Sequence, residues 1–254
     1  PKVTKPIEIH QVFWKLAKTP NSWAMFWSGA LIGKIADDDT KRYLECLKPS
    51  MKNNQYTTKM FLPYIVLNCV QKASETTLTQ IKNEIQYIFD IVLGKDVFEG
   101  EKSNERRAMY VKHFDFTPMV GKPKLPDNDI KSVAIKVAKM IFEIFDFLEN
   151  FMDDKMIKEL FANFDACEMA KVNFECGEYA RAMIYLETKM KSLDEASEVF
   201  QKHLSFLANI YAKLGCPDAV KGIQALKSSE WSLTEKVLIS GVTGDHQDSV
   251  ACCE

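Results

Sequence analysis

Turn-forming residues are scarce in this sequence, with ten glycines and nine prolines among 254 residues. An all-β protein needs such punctuation every few residues, so that class is excluded. Long apolar runs are also missing. The longest, Met60 to Leu67, is eight residues, against the roughly 20 that span a bilayer. No signal peptide pattern occurs either, so no membrane partner is expected. Neither sign of charge dominates: 33 basic and 35 acidic residues leave a net charge of −2. No global basic field would draw in nucleic acid, so any DNA-related role has to run through protein partners. The seven cysteines (Cys46, Cys69, Cys167, Cys176, Cys216, Cys252 and Cys253) include no C-x-x-C pair. Several lie inside apolar helical runs, which reads as reduced, buried thiols rather than disulfides or zinc ligands.

What is present favours helix. Hydrophobic residues make up 46% of the chain and charged ones 27%, enough to build a sizeable core in one large or two smaller domains. Leu, Ala, Met, Lys and Glu are abundant, and all are good helix formers.

The periodicity of the apolar residues places the elements. Asn21 or Ser22 is suited to cap a helix carrying Trp23, Phe26, Trp27, Ala30 and Leu31. Asp37–Asp39 open a short helix with Tyr43, Leu44 and Leu47, which Pro49 should stop. Met60 to Val70 is apolar almost all round, with Pro63 suited to a first helical turn, and a buried strand is the alternative. Leu78, Ile81, Ile85, Ile88, Phe89 and Val92 recur at helical spacing up to Gly94. Residues 94–128, with three glycines and three prolines, read as a long, partly disordered loop. After Asp127 or Asp129 as cap, a stripe runs through Ile130, Val133, Ala134, Val137, Ala138, Ile141, Ile144, Phe145 and Leu148. A short helix follows near Lys155 to Phe164.

The last third repeats itself. Ala170–Tyr185, Leu207–Val220 and Leu238–Ala251 each read as an apolar helix, a glycine turn (Gly177, Gly215, Gly244) and a helix opening with small residues. Ala182, Val220 and Val250 hold equivalent places, 38 and 30 residues apart, bracketing the ~34-residue tetratricopeptide period. Glycine takes a left-handed cap without a Cβ penalty. One hairpin cannot bury its own apolar face, so several must stack. The expected fold is all-α, an α-solenoid of HEAT- or tetratricopeptide-like hairpins.

Three blocks carry a family likeness: Tyr179–Glu187, His203–Tyr211 and Pro217–Ile223, continued by Ser232–Leu238 and Asp248–Glu254. They resemble the start of the FAT domain in the phosphatidylinositol-3-kinase-related family of protein kinases. Upstream, Ser22–Lys34 and Phe61–Leu67 are similar to the last HEAT-type helices before that domain. The likeness is specific from about residue 161 onward, weaker over 22–93 and absent from 94–128, which would then be a lineage-specific insertion. It implies HEAT-like repeats over 1–93, a loop over 94–128, connecting helices over 129–164 and the start of a FAT domain over 165–254. It also implies that the chain is a non-catalytic scaffold piece of a nuclear serine/threonine kinase answering DNA damage and replication stress. ATP and magnesium would bind only in a distant catalytic domain. The partners implied are other parts of the same kinase chain, a dedicated partner subunit and a second copy of the parent. The chain begins without Met and stops at Glu254 inside a helical pattern, so both ends read as fragment boundaries. The alternative is a free-standing adaptor binding peptides in a concave groove.

Residues able to do chemistry are few and scattered, and no catalytic, cofactor-binding or metal-binding residue is assigned. No G-x-G-x-x-G, Walker A, H-R-D or D-F-G motif occurs. His10, His113, His203 and His246 are spread along the chain without H-E-x-x-H or Cys/His clustering. His203, beside Leu204, Phe206 and Leu207, reads as a packed or surface residue rather than a general base. His113 with Asp115 lacks a third partner, and Gly244-Asp245-His246 lacks the following Asn of a kinase catalytic loop. Adjacent Cys252 and Cys253 point to different helix faces. Thr79-Gln80 is the only Ser/Thr-Gln dipeptide. Trp23, Trp27 and Trp231 could anchor a partner, but their helical spacing suits burial better.

Overall fold

The computed structural model describes residues 19–95, 127–194, 197–228 and 231–244. Eleven α-helices are defined among them: α1 (Pro20–Ile32), α2 (Asp38–Asn53), α3 (Gln55–Gln71), α4 (Glu75–Val92), α5 (Asp127–Leu148), α6 (Lys155–Ala162), α7 (Ala166–Glu175), α8 (Tyr179–Met190), α9 (Glu198–Leu214), α10 (Pro217–Leu226) and α11 (Leu233–Thr243). No strand occurs among the described residues, so the apolar run at Met60–Val70 is helical. The expectations for His10, His113, His246, Val250, Cys252, Cys253 and most of the loop lie outside the described residues. The chain divides into two compact units, Pro1–Asn163 and Phe164–Glu254.

Three local expectations are corrected in the first unit. Helix α1 is capped by Thr19, not by Asn21 or Ser22. The Thr19 hydroxyl accepts from the Ser22 amide at 3.1 Å, the Ser22 hydroxyl accepts from the Thr19 amide at 3.0 Å, and Pro20 takes the first helical position. Two orphan amides are thereby satisfied, and proline removes a third at no loss. Pro49 does not stop α2, which runs on to Asn53. Met51 beyond it is 4% exposed, and its carbonyl accepts from the Thr58 hydroxyl at 2.8 Å. Burial and that bond offset the backbone bond lost at an exposed proline. Pro63 sits deep inside α3, not in its first turn, because Asn54 caps the helix two turns earlier by accepting from the Tyr56 amide at 2.9 Å. The carbonyl that Pro63 deprives is that of Lys59, an exposed residue where water can serve.

The core of the first unit follows the predicted stripes. Helix α3 packs against α1, α2, α5 and α6, and α4 packs against α5. Trp23 and Trp27 are 0% and 2% exposed and stack with centroids 4.8 Å apart. Phe89 of α4 stacks on Phe142 of α5 at 5.2 Å, and Phe142 meets Phe145 edge-on at 5.9 Å. Ala134, Val137, Ala138, Ile141, Ile144, Phe145 and Leu148 are all buried, while Lys131, Lys136, Glu143 and Asp146 face outward.

The second unit is a run of capped hairpins. Gly177, Gly215 and Gly244 follow α7, α9 and α11 with φ of 77°, 70° and 80°. At the first two, a paired set of turn bonds closes the helix end: the Gly177 amide donates to Phe174 O and the Glu178 amide to Asn173 O. The Gly215 amide likewise donates to Ala212 O and the Cys216 amide to Tyr211 O. The small residues do what the repeat implied: Ala170, Ala182 and Ala208 are at most 1% exposed in one core with Leu186, Leu204 and Ile210. Ala182 and Val220, equivalent in the repeat, are both fully buried.

Candidate functional site

Among the described residues, one cluster of titratable side chains lies where α7, its cap residue, α8 and α9 meet. Asp165 caps α7 by accepting from the Glu168 amide at 3.2 Å and pairs with Lys189 Nζ of α8 at 3.1 Å. Beside it, Cys167 Sγ lies 3.9 Å from His203 Nδ1 of α9. Partial burial works against the Asp165 charge, but the bonds from Lys189 and the Glu168 amide hold its carboxyl below the usual range. Burial pushes the Cys167 thiol up and the His203 imidazole down, and Lys171 adds to the depression of His203. A nucleophilic Cys–His pair needs the reverse, a thiolate beside an imidazolium. Here burial shifts both groups in the opposite sense. No group of three His, Cys, Asp or Glu residues able to hold a metal ion occurs among the described residues.

A second polar node joins α9, α10 and α11. The Lys227 side chain is only 6% exposed. Its Nζ donates to Ser205 Oγ at 2.7 Å and to both Glu235 carboxylate oxygens at 3.2 Å, and it lies 4.0 Å from the centre of the Trp231 ring. Glu235 also closes the capping box of α11, accepting from the Ser232 amide at 2.7 Å while its own amide donates to Ser232 Oγ. Burial alone would raise the Glu235 carboxyl. The hydrogen bonds from Ser205, Ser232 and Lys227 outweigh that and bring it down to about 2.

This node ties repeat to repeat, and its stabilisation depends on pH. Because the folded carboxyl titrates near 2 and an unfolded one near 4.3, the contribution is full above about pH 4.5 and is lost as pH falls through 2. Glu235→Gln is expected to lower stability by about 1–2 kcal/mol at pH 7, discounted for partial exposure. It should also flatten the loss between pH 4.5 and 2, which denaturant titrations across that range will show.

Trp23, Trp27 and Trp231, the tryptophans among the described residues, are packed against their neighbours. Trp23 Nε1 donates to Glu84 Oε1 at 2.7 Å across α1 and α4, and Glu84 is itself 2% exposed. Trp231 is half-buried against the repeat core. The periodicity predicted the burial, but Glu84 was missed. It lies among Ile81, Ile85 and Ile88 on a stripe that gives no sign of a buried acid, and the Trp23 indole that meets it is 61 residues away in sequence.

Comparisons with known proteins agree on one region of one kind of kinase. A profile described as "Serine/threonine-protein kinase ATR, M-HEAT region" matches residues 13–239. The chain is 22% identical to the serine/threonine-protein kinase ATR of Drosophila melanogaster over 267 aligned residues, covering 91% of this chain and 10% of that protein. It is 19% identical to protein kinase rad3 of Schizosaccharomyces pombe, covering 98% of this chain and 10% of that protein. Against the ATR of Arabidopsis thaliana the identity is 23%, with 91% and 9% covered. The chain thus spans about a tenth of the length of these curated relatives. No solved structure matches.

Proposed function

We propose, from the premise that this chain belongs to the M-HEAT region of the ATR family of serine/threonine-protein kinases, that it is a spacer in a large signalling kinase. The segment itself is a non-catalytic helical scaffold of the α-solenoid class. The observation that carries the reading is the fate of the apolar stripes. Helix after helix spends its stripe on the next, and the polar nodes at Asp165–Lys189 and Lys227–Glu235 clamp neighbouring helices together. Stability in such stacks comes from nearest-neighbour interfaces, so the segment holds distance and passes strain.

In this reading the whole protein phosphorylates serine and threonine in the nucleus in response to DNA damage and replication stress. ATP and magnesium bind in its catalytic domain, outside this segment. Other parts of the kinase chain, an ATRIP-like subunit and a second copy of the parent contact the assembly. The break between Asn163 and Phe164 supports a new module near residue 165, the start of a FAT domain, whereas the M-HEAT match runs on to residue 239. The test is the gene. Its open reading frame is expected to encode a lipid-kinase-like catalytic domain downstream of Glu254, and the purified full-length protein to phosphorylate a serine peptide. A reading frame without that domain would leave a free-standing adaptor and end this proposal.

A further inference from the structure

We draw no further inference here: the strongest candidate, the exposed row of Tyr56, Met60 and Tyr64 along one face of α3, carries nothing because nothing in the structure shows what covers it.

Discussion

Trp23→Ala is expected to destabilise the chain by about 3–5 kcal/mol, the usual range for emptying a buried aromatic site. Trp23 is 0% exposed, stacks on Trp27 one turn later, and donates to buried Glu84. The alanine variant therefore loses contact area and takes the indole donor from a carboxylate held at 2% exposure. Trp23→Phe separates the two losses. It keeps most of the volume, so its cost should be about 1–3 kcal/mol, the range for a buried polar group deprived of a partner. Guanidinium unfolding curves of the two variants measure the difference. A cost near zero for Trp23→Phe would mean that the indole–carboxylate bond contributes nothing.

Leu186→Ala should cost about 2–5 kcal/mol, whereas Ile184→Ala on the same helix should stay within about 0.5 kcal/mol. Leu186 is fully buried among Ala182, Leu204 and Ala208, while Ile184, half a turn away, is 58% exposed. The contrast tests the repeat directly, because it requires α8 to present a single face to α7 and α9. Comparable losses at both positions, read by urea denaturation, would show that the unit does not fold as a run of hairpins.

Much of this was legible in the residues. The stripe from Ile130 to Leu148 gave α5 its inward face, and the burial of Trp23 and Trp27 followed from their four-residue spacing. Gly177, Gly215 and Gly244 were recognisable as left-handed caps because only glycine takes that backbone conformation freely. The caps and the prolines were less legible. Thr19, Asn21 and Ser22 are all competent to begin α1. The choice of Thr19 needs the reciprocal bond with Ser22 and Pro20 in first place. Pro49 and Pro63 are breakers by local rule, yet both helices continue, because Met51 beyond one and Ile65–Val70 beyond the other are buried by neighbours distant in sequence.

The candidate sites show the same division. The scattered histidines and the missing phosphate loops argued from sequence against a catalytic centre. That Cys167 meets His203 across 36 residues, and that burial pushes the thiol up and the imidazole down, is tertiary information. So is the burial of Glu84 against Trp23, of Lys227 against Glu235, and the exposure of Tyr56, Met60 and Tyr64 on a helix apolar nearly all round.

By itself the sequence determined the class of the fold, the faces of its helices and the glycine turns of its repeat, because period, propensity and backbone freedom act within a few residues. Tertiary structure alone decided which helix is interrupted by a proline and survives, which charges are buried in pairs, and which part of an apolar helix is left uncovered. Each of those outcomes depends on what packs against the residue, and the packing partner lies dozens of positions away.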